Sequence, residues 1–154
     1  MNLMYPKKVI DNDTFKTRNF TLAFTNGCFD IIHSGHIQSL IFAKSKAEKL
    51  IVALNSDSSI KKLKGNSRPI LPLEHRINII SALEVVDYVT YFDDETPISL
   101  LEKIKPDVLI KGSDYNIDSV IGKEFAKEIC LAPLFDQAST SHFLDMYIKR
   151  LENE

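Results

Sequence analysis

Apolar residues fall along this chain in short runs separated by amphipathic stretches. "FTLAFTN" (Phe20–Asn26) is a β-branched and aromatic run that stops at Gly27, which predicts a strand. From Gly35 to Lys49 the apolar residues Ile37, Leu40, Ile41 and Ala47 recur at helical spacing. "LIVALNSD" (Leu50–Asp57) is nearly continuous in apolar residues, as a strand covered on both faces requires. The polar stretch "SSIKKLKGNSRPILP" reads as a loop. Pro72 then suits a first helical turn, and Ile77, Ile80 and Leu83 give that helix an apolar face. "DYVTYFD" (Asp87–Asp93) predicts a third strand. Thr96 as N-cap and Pro97 in the first turn predict a short helix that stops before Pro106. "DVLIKG" (Asp107–Gly112) is a fourth strand, Ser119–Glu128 a weaker helix, "CLAPLF" a fifth strand, and "STSHFLDMYIKRL" a closing helix capped by Ser139 or Thr140.

Strand and helix alternating in this way predict one α/β domain with a five-stranded parallel sheet. The domain spans 1–154, with 1–18 as an N-terminal arm and 19–151 as the core. Ligands of such sheets bind at the carboxyl ends of the strands, where strand order reverses. The segments expected there are "GCFDIIHSGH", "NSDSSIKKLKG", "KGSDY" and "DQASTS". They hold most of the chain's histidine, glycine and clustered hydroxyl residues.

Composition narrows the partners. Hydrophobic content is 44% and charged content 26%, enough apolar residue for a core in a chain of 154 residues. The net charge of −2 gives no basic excess, which argues against a nucleic-acid partner. Cys28 and Cys130 are far apart and form no CxxC pair, which favours reduced thiols and a cytoplasmic setting. The first residues lack a continuous apolar stretch of signal-peptide type, and no run is long enough to span a bilayer.

His33 and His36 are three residues apart at the start of a predicted helix, hence on one face of its first turn. A glycine turn, backbone N–H groups, two imidazoles and a helix N-terminus together suit a phosphate. Zinc-binding helical pairs more often stand four apart, and no third ligand lies nearby, so no metal ligand is assigned. The plain alternative is that one histidine caps the helix and the other is a surface residue.

"TNGCFDIIHSGH" resembles the signature of the nucleotidyltransferase superfamily with the HxGH motif. "LIVALNSD", "KLKGNSRPILPLEHR", "ALEVVDYV", "KPDVLIKGSDY" and the late "STS" follow in the family's order and extend the resemblance over about residues 20–150. The heptose-1-phosphate adenylyltransferase domain is the branch the chain most resembles, and glycerol-3-phosphate cytidylyltransferase is more distant. The resemblance implies a Rossmann-like fold with helices on both faces of the sheet. It implies transfer of AMP from ATP to a sugar 1-phosphate, D-glycero-D-manno-heptose 1-phosphate first, with release of pyrophosphate. Mg²⁺ would accompany ATP, a separate sugar kinase would supply the acceptor, and the enzyme would be a homodimer.

The resemblance also implies roles. His33, His36 and Lys64 would be catalytic, at the triphosphate. Asn26, Gly27, Cys28, Phe29, Gly35, Gly112, Asp114, Tyr115, Ser139, Thr140 and Ser141 would line the nucleotide. Asp30 and Arg76 would serve the acceptor. Alternatives stand beside several of these. Asp30 could order its loop or cap the helix, Arg76 could pair with Glu74 or Glu84 on a helix surface, and the hydroxyls of "STS" could simply cap. Lys61, Lys62 and His75 read as surface groups. Cys28 is not expected to act as a nucleophile, because direct displacement needs no covalent intermediate. The family more usually has glycine where this chain has Ser113, threonine at Ser141, and a glycine shortly before "STS". Three other activities fit the same motifs: a cytidylyltransferase acting on a small phosphorylated alcohol, a cofactor-synthesising adenylyltransferase, and a nucleotide-binding regulatory module without turnover.

Overall fold

The computed structural model describes Phe15 and residues 17–113, 116–133 and 140–152, with the backbone alone for 140–143. The described elements run β1 (Leu22–Gly27), α1 (Ser34–Lys44), β2 (Lys49–Asn55), α2 (Asp57–Lys64), α3 (Leu73–Ala82), β3 (Tyr88–Phe92), α4 (Ile98–Ile104), β4 (Val108–Gly112), β5 (Glu128–Ala132) and α5 (Thr140–Leu151). All five strands are parallel, in the order β3-β2-β1-β4-β5. The chain builds outward from β1 to β3, then crosses back to lay β4 on the other side of β1. The order therefore reverses between β1 and β4, the place where such sheets bind ligands.

Alternation along each strand divides the core between two faces. Ala23, Leu50, Val52, Leu54, Val108 and Ile110 pack with Leu40 and Ala43 of α1 and Ile77 and Ile80 of α3. Leu22, Phe24, Ile51, Ala53 and Leu109 pack on the opposite face with Leu100, Leu101 and Ile104 of α4. Helices thus cover both faces, and the near-continuous apolar runs of β1 and β2 are the consequence.

Two carboxylates pin the amino ends of the strands, away from the ligand edge. Asp107 accepts from the Leu22 amide, Arg18 and Lys127. Asp87 accepts from the Leu50 amide, Lys44 and Lys49. Burial pushes the Asp107 carboxyl up, but the bonds from Lys127, Leu22 and Arg18 outweigh it and hold it down at about 2.

The sequence pattern and the structure differ in several places: α4 is entered through Pro97 with no side-chain cap where Thr96 was expected to cap, and β5 starts two residues before the expected "CLAPLF". The stretch read as a polar loop contains α2, with Ser56 as its cap accepting from the Ser59 amide. Among its eight residues only Ser59 and Ile60 are buried, so the apolar signal is too thin to show a period. The helix expected over Ser119–Glu128 is two short 3₁₀ turns, Ile117–Ser119 and Lys123–Phe125, and Glu128 already belongs to β5. Gly122 breaks that segment with φ +82°. Finally, α1 stops at Lys44, because Lys49 begins β2.

Candidate active site

β1 delivers its chain into a sharp turn at the carboxyl edge of the sheet. The left-handed residue of that turn is Phe29, with φ +45°, not the expected Gly27. Gly27 serves differently. A Cβ there would lie 3.1 Å from the Phe29 ring, so the missing side chain makes room for the ring to fold back into the core. Phe29 then lies 5.2 Å from the His36 ring, tilted by 52°.

His33 occupies the N-cap position of α1 with extended backbone, and no side chain caps this helix. The reading in which a histidine side chain merely caps is therefore not what the structure shows. The first turn of α1 also contains no acidic residue. Its amides and dipole are left to an anion.

The rings of His33 and His36 stack at 3.8 Å between centroids and 28° between planes. Burial, followed by the positive fields of His33 and Lys64, pushes the His36 imidazole down to about 4. Burial also lowers His33. Near neutral pH the pair is uncharged, so each ring carries one N–H and one lone pair. The buried Nδ1 of His36 meets no hydrogen-bond partner among the described residues. Lys64 is the exposed last residue of α2, close enough for its charge to be felt at His36. The structure thus brings His33, His36 and Lys64 into one electrostatic cluster.

Asp30 and Arg76 are placed otherwise than their expected acceptor roles require. Asp30 is 6% exposed, and its carboxylate accepts from the Arg68 guanidinium at 2.8 Å and from the amides of Ile70 and Leu71 at 2.8 and 2.9 Å. Burial raises this carboxyl, but the Leu71, Ile70 and Arg68 bonds win and lower it. With both oxygens engaged, Asp30 orders the loop after α2, which is one of the alternatives read from sequence.

Arg76 is fully buried rather than paired with Glu74 or Glu84 on a helix surface. Its Nε donates to the Leu71 carbonyl at 2.9 Å, Nη1 to the carbonyls of Cys28 and Asn55 at 2.8 Å each, and Nη2 to the Asp57 carboxylate at 2.6 Å. One guanidinium therefore joins the turn after β1, the end of β2, the start of α2 and the segment before α3. A guanidinium so enclosed by protein acceptors holds these segments in place.

Two partners went unread in the sequence. Asp57 was read as the end of the second strand, and Arg68 lies in the stretch taken for a loop. The third omission is Lys111, at the end of β4, whose ammonium donates to the Asn26 side-chain oxygen at 2.5 Å. Burial pushes this lysine down to about 8. Its signal was a lysine closing an otherwise apolar strand, in register with the inward-facing Leu109. Cys28 is a half-buried free thiol, and Gly35 and Gly112 stand at the start of α1 and the end of β4. Asp114, Tyr115 and Ser139 lie outside the described residues, as do the side chains of Thr140 and Ser141. Among the described residues no three His, Cys, Asp or Glu side chains converge as a metal site, and no helix is long and apolar enough to cross a membrane.

Comparison with known proteins bears on the family and the fold. The cytidylyltransferase-like family matches residues 24–148. The bifunctional protein HldE of Alcanivorax borkumensis is 49% identical over 128 residues, which cover 80% of this chain and 27% of that protein. Its counterpart in Helicobacter pylori strain P12 is 48% identical over 133 residues, covering 86% of this chain and 29% of that one. The chain thus spans less than a third of the curated relatives it matches. A crystal structure of the lipopolysaccharide core biosynthesis protein from Thermoplasma volcanium superposes with a TM-score of 0.64 at 24% identity, covering 78% of this chain and all of that one, which supports the fold.

Proposed function

The chain belongs to the cytidylyltransferase-like family, and on that premise we propose that it is a nucleotidyltransferase joining AMP from ATP to D-glycero-D-manno-heptose 1-phosphate. The observation that carries the reading is the stacked His33–His36 pair at the uncapped start of α1, within the field of Lys64. Similarity to the bifunctional HldE proteins over four-fifths of the chain supports the heptose branch.

In the proposed reaction an oxygen of the acceptor phosphate attacks the α-phosphorus of ATP. That P–O bond forms as the bond from the α-phosphorus to the α,β-bridging oxygen breaks. The bridging oxygen keeps the electron pair and leaves with pyrophosphate. Entering and leaving oxygens stand in line. The chain's own contribution is placement and charge stabilisation. His33 and His36, neutral before ATP arrives, donate N–H bonds to its phosphates, and an approaching phosphate favours their protonation. The first-turn amides of α1 and the Lys64 ammonium add to the same cradle. Mg²⁺, as the companion of ATP, would be held largely by phosphate oxygens and water and would neutralise phosphate charge. The carboxylates of Asp30 and Asp57 are already engaged by Arg68 and Arg76.

The same proposal includes a sugar kinase that supplies the phosphorylated acceptor and a homodimer, both on family resemblance, and a cytoplasmic setting, on the two separated cysteines. The deciding experiment is a matrix of the four ribonucleoside triphosphates against heptose 1-phosphate, glycerol 3-phosphate and cofactor precursors, read by pyrophosphate release. Turnover with ATP and the heptose phosphate supports the proposal. Preference for CTP and glycerol 3-phosphate replaces it with a cytidylyltransferase, and no pyrophosphate from any pair replaces it with a binding module.

A further inference from the structure

The order of the sheet reverses between β1 and β4, and a lysine stands at that crevice. Asn26 closes β1 and Lys111 lies at the end of β4, and their side chains bond to each other. Both follow, by alternation, the residues that face α4: Phe24 before Asn26 and Leu109 before Lys111. The stacked histidines belong to α1, which packs on the other face of the sheet through Leu40 and Ala43. The end of β1 is therefore flanked by the histidine pair on its α1 side and by the Lys111 ammonium of β4 on its α4 side.

In-line transfer asks for such a division. The leaving pyrophosphate and the attacking phosphate stand on opposite sides of the α-phosphorus, and each is an anion that must be held. His33, His36 and Lys64 form the cluster suited to the triphosphate. We infer that Lys111 binds the phosphate of the acceptor, from the side of β1 opposite the stacked histidines, an inference that rests on the nucleotidyl-transfer reading above.

The chemistry of the position agrees. Lys111 is half-buried at the mouth of an otherwise apolar strand, where an ammonium loses hydration. Asn26 offers it a neutral oxygen, a weaker partner than an anionic one. A phosphate at this edge would bring an anionic acceptor to the same ammonium. Asn26, in turn, fixes where the ammonium points, so its bond to Lys111 is a positioning contact.

The test uses the full chain and initial rates of pyrophosphate release, with ATP varied at saturating heptose 1-phosphate and the reverse. Lys111→Met removes the charge from a half-buried position, Lys111→Gln keeps a donor, and Lys111→Arg keeps the charge. Thermal unfolding checks each fold, and Lys111→Gln is read if the methionine variant does not fold. Loss of a charged hydrogen bond should raise the KM for the heptose phosphate about 10- to 100-fold, while the KM for ATP stays within about threefold. Lys111→Arg should recover most of the loss. A rise confined to the KM for ATP overturns the inference and moves Lys111 to the triphosphate. Unchanged KM values for both substrates, with or without a lower kcat, also overturn it. If the wild-type protein releases no pyrophosphate from this pair, the adenylyltransferase reading itself falls and takes the inference with it, an outcome visible before any variant is made.

Discussion

The Arg76 guanidinium, fully buried, donates to the Asp57 carboxylate at 2.6 Å while that carboxylate remains 40% exposed. The pair joins α3 to the start of α2, and the remaining N–H groups of Arg76 reach the carbonyls of Leu71, Cys28 and Asn55. The turn before α1 and the helix that ends in Lys64 are therefore tied to one side chain.

Replacing that side chain should be costly. Arg76→Met would strand three backbone carbonyls and the Asp57 carboxylate, and it is expected to destabilise the fold by ~3–5 kcal/mol. Asp57→Asn keeps an acceptor near solvent and should cost ~1 kcal/mol or less. Urea unfolding of both variants measures the difference. Equal, small losses would show that Arg76 is not the tie described.

His36 is expected to act mainly in the transition state. His36→Ala should stay folded, bind ATP within about tenfold of wild type and turn over on the order of 10²–10³-fold more slowly. His36→Asn supplies a neutral donor and should recover part of that loss, since the wild-type imidazole is neutral near pH 7 in the free protein. Calorimetric ATP titration beside single-turnover rates separates the two effects. Near-normal turnover of folded His36→Ala would remove this residue from the mechanism.

The same imidazole gives stability a definite pH dependence. Its pKa is lowered from 6.5 to about 4 by burial and by the fields of His33 and Lys64. Below pH 6.5 the unfolded chain takes up a proton that the folded one resists, so stability is full above 6.5 and falls as pH drops toward about 4. His36 contributes up to ~3 kcal/mol to that fall. Asp107, lowered from 3.8 to about 2, adds a second loss only below 3.8. Urea midpoints from pH 8 to pH 4 should therefore decline in wild type and flatten in His36→Gln. Parallel curves would contradict the lowered imidazole.

Cys28 contributes its carbonyl to Arg76, and direct displacement gives its thiol no task. Cys28→Ser should keep turnover within about threefold of wild type. Loss of nearly all activity in a folded Cys28→Ser protein would force a covalent step into the mechanism.

The strands and the closeness of His33 and His36 were legible in the chain because each rests on local pattern. Apolar runs specify buried parallel strands, Pro72 and Pro97 mark helix starts, and two histidines three apart must share a helical face. α2 was not legible. A short helix with a single buried apolar side chain leaves no periodic trace, and its cap at Ser56 is meaningful only once β2 is seen to end there. Only the tertiary structure decided the roles of Asp30, Arg76 and Lys111. Asp30 faces Arg68, Ile70 and Leu71, about forty positions onward, and Arg76 bonds to Cys28, forty-eight positions back. Lys111 meets Asn26 across eighty-five. A charged residue's sequence neighbours show whether it could be exposed, but burial and partners set its energy, and both come from strands brought side by side by the fold. For the same reason the lowered pKa values of the two histidines were not legible: stacking and desolvation are properties of the packed turn, not of the motif.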